Sequence, residues 1–183
     1  PQNISFVLAG GISDEPSAAA AAAILAPLHK RGVHVGIQMG TAYLMTREAV
    51  ETGAINPMYH EAGAQAEKTV TMGETVGAPT RVLPTSAAHT VSAKEKQRLV
   101  DNVPLKERKE HYDHDNLGGL RAAAKGQKIA RIDREKGAIF ADLSREEQEE
   151  TGLFHCGQAI ALLQDTYTIA DLHHAVTEGA QHY

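Results

Sequence analysis

Ile4-Ser-Phe-Val-Leu-Ala-Gly-Gly-Ile12 and Val33-His-Val-Gly-Ile-Gln-Met-Gly-Thr41 decide how this chain folds. In each, an apolar run of strand length ends in a tetrapeptide of small or turn-forming residues, Ala9-Gly-Gly-Ile12 and Gln38-Met-Gly-Thr41. A short, continuous apolar run bounded by turn residues is the pattern of a strand buried on both faces. One helix-length segment separates the two runs. Strand, glycine turn, helix, strand, glycine turn is a βαβ unit, which brings both turns to the same end of adjacent parallel strands. Backbone N–H groups that converge at such a place can hold a phosphate.

The connecting segment carries the marks of a helix. Ser13 is the expected N-cap, and Asp14 and Glu15 fall in the first turn, where the helix dipole favours acids. Pro16 is tolerated because first-turn N–H groups have no intrahelical acceptor. Ala18 to Ala23 has the highest helix propensity available, and Gly32 ends the segment. After the second turn, Thr41 to Val50 reads as a helix whose N-terminus points back at Gly40. Asn56-Pro57 then breaks the chain before a polar helix from Met58 to Glu67. Two short β-like runs, Thr69–Met72 and Thr80–Leu83, are placed to pair as a ribbon.

Beyond Pro84 the composition turns polar and mostly helical. Ser92 to Glu110 reads as a solvated helix broken at Pro104, and Leu120 to Gly126 as a short alanine-rich one. Ser144-Arg-Glu-Glu147 is a capping box opening an acidic helix. Gly157 to Leu163 reads as an apolar helix, and Thr168 caps a last helix running through Leu172 and Val176. Ile129 to Phe140, with alternating charge around Gly137, fits neither helix nor strand cleanly. The shift divides the chain into residues 1–84 and 85–183.

The 183 residues carry a formal net charge of −5, against the basic face that nucleic-acid binding needs. No run is long enough to span a bilayer, and no signal-peptide pattern opens the chain. Pro1 stands where Met would, so the segment reads as processed or cut from a longer protein. The single Cys156 excludes an internal disulfide and suits a reducing cytoplasm. Two long parallel strands cannot cover both of their own faces, so either the fold is unusual or the rest of the sheet lies upstream.

Ten histidines invite a metal reading. His111 and His114, with Asp113 and Asp115, put two ligands on one helical face. Zinc needs three or four convergent ligands, and spacing fixes no third, so no metal site is assigned. His173 and His174 are adjacent and point apart, His34 belongs to a sheet face, and His29 to a helix end. His155-Cys156 is not a nucleophilic pair, because neighbours in a regular element point in different directions. Cys156 is expected to be buried and inert.

Three segments carry a family resemblance: Val7-Leu-Ala-Gly-Gly-Ile12, Gly36-Ile-Gln-Met-Gly-Thr41 and Thr46-Arg-Glu-Ala49. Together they resemble the last two strands of a nitronate monooxygenase (2-nitropropane dioxygenase) barrel. That family includes FMN-dependent enoyl-acyl-carrier-protein reductases and the stand-alone enoyl reductases of polyketide and polyunsaturated fatty-acid synthases. Thr80-Arg81-Val82 resembles the ribbon after the barrel, and Gly157-Gln158-Ala159 the family's C-terminal Gly-Gln-Ser/Ala element. The likeness is strong over residues 4–50 and weak over 85–150.

The resemblance implies an α/β fold: the C-terminal portion of a TIM (β/α)8 barrel, its last two strands, followed by a mostly helical subdomain. Loops at that end of such barrels commonly hold a phosphate. By this likeness FMN is the cofactor, its phosphate on the backbone of Gly10, Gly11, Gly40 and Thr41, with Gln38 and Met39 beside the flavin. Gln158 is the substrate-proximal candidate or a cap of the helix after Gly157, and Arg81 is either a ligand for a phosphate or a carrier or a surface ion-pair partner. The family's catalytic histidine lies on an earlier strand or loop, so no catalytic residue is assigned in this chain. The implied reaction is oxidation of an alkyl nitronate by flavin and dioxygen. The alternative is reduction of an enoyl thioester with NAD(P)H, with acyl carrier protein as a partner. A third reading is a non-catalytic flavin- or phosphate-binding fragment completed by another chain. The upstream barrel half is an expected requirement, and oligomerisation is left open.

Overall fold

The structure is a computed structural model that describes residues 4–182; Pro1, and the reading placed on it, lie outside the described residues. β1 (Ser5–Ala9), α1 (Glu15–His29) and β2 (His34–Gln38) form the expected βαβ unit. The strands pair in parallel, Ser5 opposite His34 and Ala9 opposite Gln38, so both glycine turns leave from the same sheet end. α1 is capped by Asp14 rather than Ser13. A cap bonds the N–H two or three residues on. From Ser13 the third residue is Pro16, which has no N–H. From Asp14 it is Ser17, whose N–H donates to Asp14 Oδ1 at 2.9 Å while its hydroxyl accepts from the Asp14 N–H.

The helix expected over Thr41–Val50 is two pieces, α2 (Thr41–Leu44) and α3 (Arg47–Glu51). Thr46 turns its hydroxyl onto the Tyr43 carbonyl at 2.8 Å, and the Arg47 N–H donates to the Tyr167 carbonyl at 2.9 Å. Those bonds interrupt the helical ladder. α4 (Pro57–Ala64) is capped by Asn56. β3 (Val70–Met72) and β4 (Thr80–Val82) pair antiparallel, as the ribbon reading requires. The charged stretch makes two helices, α5 (Ser86–Val100) and α6 (Leu105–Asn116), the first beginning six residues early because Thr85 caps it through the Ala88 N–H. α7 (Gly119–Lys125) follows. The ambiguous segment is a hairpin of β5 (Gln127–Asp133) and β6 (Gly137–Asp142), with an irregularity between Ile129 and Arg131.

α8 (Arg145–Thr151) opens with the Ser144/Glu147 capping box, and α9 (Ile169–Thr177) with Thr168 and Asp171. Gln158–Leu162 is a 3-10 segment rather than an α-helix; it buries Ile160 but leaves Leu162 75% exposed.

The larger core joins Ile12 and Ala21 to Met45, Phe154, Ile160 and Leu172, and the smaller one joins Met72, Val76 and Val82 to Val91, Tyr112 and Leu153. Each draws residues from both sides of Pro84. The β1–β2 sheet is less covered, with Phe6 43% and Val7 53% exposed. Among the described residues no third strand pairs with it. The architecture is thus mixed α/β with three two-stranded sheets among the described residues. No helix of these residues is long and apolar enough to cross a membrane.

Candidate functional site

The two turns meet as the strand register dictates. β1 runs into Gly10 and Gly11, whose φ angles of 100° and 75° are left-handed and favour residues without a Cβ. β2 runs through Gln38 and Met39 into Gly40, the residue before α2. Because Ala9 lies opposite Gln38, Gly10–Gly11 and Met39–Gly40 leave the sheet side by side. A Cβ built on Gly10, Gly11 or Gly40 meets nothing within 4 Å. These glycines are therefore not required by close packing, and the backbone at both turns stays open to approach. Gln38 is exposed at its strand end, and Met39 packs against the larger core.

Thr41 is held from the far end of the chain. Its Oγ1 accepts the Gly157 N–H at 2.7 Å. A hydroxyl that accepts through oxygen keeps its proton to donate, so Thr41 still offers a donor. Backbone N–H groups of two open turns plus one hydroxyl suit a phosphate, and the residues present fit that group.

The helix dipole contributes less than the sequence suggests. A macrodipole sums aligned peptides, and α2 is a single turn. α1 offers no alternative, since Asp14 already occupies its first-turn donor and adds negative charge there.

A second set of contacts extends from Gly157. The Gln158 Oε1 accepts from the Thr69 hydroxyl at 2.7 Å and from its N–H at 3.3 Å. Arg81 Nη1 donates to the Thr69 Oγ1 at 3.1 Å. The ribbon is pinned beneath, where the Cys156 N–H donates to the Arg81 carbonyl at 3.1 Å and the Leu83 N–H to the Phe154 carbonyl at 2.9 Å. Residues read separately in sequence (Thr41, Gln158 and Arg81) thus share one hydrogen-bonded path. Thr69 is legible in sequence as a strand residue but not as a site residue, because its role depends on contacts 12 and 89 residues away.

The remaining chemical candidates are structural. Burial pushes the Cys156 thiol up to about 12 and holds His155 below the ordinary imidazole value. The His155 carbonyl accepts the Tyr59 hydroxyl at 2.6 Å, and burial raises that phenol well above its usual range. Asp115 binds Arg98 at 2.7 Å and Lys94 at 3.2 Å rather than joining His111 and His114. His173 Nε2 lies 2.7 Å from the Tyr43 hydroxyl. Among the described residues no group of three or more His, Cys, Asp or Glu is arranged to hold a metal ion.

No protein-family model matches the chain, and no curated protein matches it. Solved structures do, FabK from Thermotoga maritima among them. It superposes with a TM-score of 0.65 at 24% identity, over 98% of this chain and 45% of that one. A point mutant of the same FabK gives a TM-score of 0.56 at 23% identity, over 98% of this chain and 42% of that one. At such identity the likeness is one of fold. The chain spans less than half the length of the structures it matches.

Proposed function

We propose that this chain is the phosphate-holding part of an FMN-dependent oxidoreductase with a TIM-barrel fold. One observation carries the reading: two open glycine turns stand side by side at the carboxyl end of paired parallel strands, next to a threonine hydroxyl with its proton free. This is where barrels and open α/β sheets place phosphate groups. The fold likeness to FabK supports an FMN-dependent oxidoreductase of this fold. Gly10, Gly11, Gly40 and Thr41 would hold the phosphate, with Gln38 and Met39 beside the ring system. A bound flavin supplies the electron-transfer chemistry, and the protein supplies binding and orientation. The exposed apolar surface of β1 suits cover by further barrel strands, because parallel sheets bury both faces.

Between the two reactions that the sequence resemblance implies, the likeness to FabK fits enoyl-thioester reduction with NAD(P)H as well as or better than nitronate oxidation. The enoyl reductase is therefore the working assignment, with an acyl carrier protein as the substrate's carrier. Nitronate oxidation, implied by the family resemblance alone, is the second reading.

The test is a titration of the full-length gene product with FMN, followed by flavin absorbance and fluorescence. Stoichiometric binding is expected. NAD(P)H consumption with an enoyl thioester, against oxygen uptake with an alkyl nitronate, then separates the two reactions. Absence of flavin binding ends the proposal.

A further inference from the structure

Arg81 is exposed on β4, yet its guanidinium is steered by a neutral group. Nη1 donates to the Thr69 hydroxyl, and among the described residues Arg81 forms no ion pair. The Thr69 hydroxyl accepts from Arg81 and donates to Gln158 Oε1, so the three side chains are ordered in one direction. That oxygen takes a second bond from the Thr69 N–H, which fixes the carboxamide with its acceptor turned inward. What Arg81 and Gln158 still offer an incoming group is donors: the free guanidinium N–H groups and the two N–H of the Gln158 amide, whose oxygen already takes two bonds. Gln158 follows Gly157, whose N–H holds Thr41. A fixed, uncompensated donor edge thus lies one residue from the anchor of the Gly40–Thr41 turn.

We infer that Arg81 and Gln158 form a second anion subsite, which receives a phosphate ester on the reactant that approaches the flavin. This rests on the flavin reading for its purpose, but its chemistry stands on the donor edge itself. Guanidinium forks pair with phosphate oxygens through two parallel bonds, and a carboxamide donor adds a third. Two sources carry such an ester, a phosphopantetheine arm and the 2′-phosphate of NADPH.

Calorimetric titration of the full-length protein with 4′-phosphopantetheine and with 2′,5′-ADP distinguishes the sources, with pantetheine and 5′-AMP as partners lacking the relevant phosphate. One phosphate probe is expected to bind. Arg81→Gln should weaken it at least about tenfold, as loss of a charge-assisted contact implies, and leave its phosphate-free partner unchanged. Gln158→Glu is the second variant. It keeps an oxygen for Thr69 and replaces the donor with an acceptor, so it should weaken the same probe. Binding of neither probe, or affinities unmoved in both variants, overturns the inference. FMN titration of the same samples separates the two readings. FMN binding without the phosphate probe retains the flavin site alone, whereas an Arg81-dependent probe without FMN retains the anion subsite alone.

Discussion

Gly40→Ala separates a ligand-holding turn from a merely structural one. Gly40 has φ −115° and ψ −65°, on the side of the map that L-residues adopt, and a Cβ there meets nothing within 4 Å. The fold thus gives no reason for glycine. Stability should change by no more than about 0.5 kcal/mol, the ordinary range for a substitution without a strained angle or a clash. The added methyl would, however, stand in the open space that a phosphate must enter. If it removes one N–H contact to a charged oxygen, about 1.5–3 kcal/mol is lost, roughly a tenfold to hundredfold weakening of FMN. Fluorescence titration of wild type and variant with FMN, and with riboflavin as the phosphate-free control, reads the difference. FMN should weaken and riboflavin should not. An unchanged FMN affinity, or equal losses for both ligands, would refute the idea that this turn holds the phosphate.

Gly73→Ala should be among the most damaging single changes. Its φ is 79°, and a Cβ would lie 2.2 Å from the Ala78 carbonyl oxygen and 2.7 Å from the Tyr112 hydroxyl. Strain and overpacking together cost about 2–5 kcal/mol, which a urea unfolding curve would register. Cys156 should resist thiol reagents at pH 8 in the native protein and react on unfolding, since burial keeps the thiol protonated to about 12. Burial alone would raise the Asp115 carboxyl, but hydrogen bonds and charge from Arg98 and Lys94 outweigh it and hold the group below its ordinary value. A depressed folded-state value means stability that is present above the ordinary aspartate range and lost as pH falls through the folded one. Asp115→Asn should flatten that part of an acid-unfolding profile, lowering stability at neutral pH and converging with the wild type below the folded-state value.

The parts of the fold written in local pattern were legible. β1, α1 and β2 follow from apolar runs, an alanine segment and glycine stops, and the caps at Ser144 and Thr168 from residue type alone, whereas Asn56, read as a breaker, is the cap of α4. The hairpin was not, because an irregularity between Ile129 and Arg131 breaks the alternation that marks a strand. Glu95 was less legible still. In a stretch that reads as solvated helix it is 1% exposed, its carboxylate accepting the Gly73 N–H at 2.7 Å and the Thr75 hydroxyl at 2.9 Å. Its acceptors are satisfied by a turn 20 and 22 residues away, which no periodicity records. The candidate site divides in the same way. Its glycine turns show in sequence, whereas the Gly157–Thr41 bond and the Thr69 bridge exist only once distant segments meet.

The two turns are supported unequally, and that bears on how the site works. The Gly40–Thr41 side is tied into the larger core. Ala42, Met45 and Thr46 behind it are fully buried, the Tyr167 hydroxyl closes on the Ala42 carbonyl at 2.7 Å, and Gly157 fixes Thr41. The Gly10–Gly11 side has Ile12 and Ser13 buried after it but an exposed strand before it. Preorganised donors favour binding because they need no further ordering when the ligand arrives. Within the described residues that condition is met at Thr41 and only half met at Gly10. Cover over Phe6 and Val7 would therefore do more than stabilise the sheet. By fixing the end of β1 it would set the second half of the proposed phosphate cradle, coupling completion of the sheet to ligand affinity through a contact that never touches the ligand.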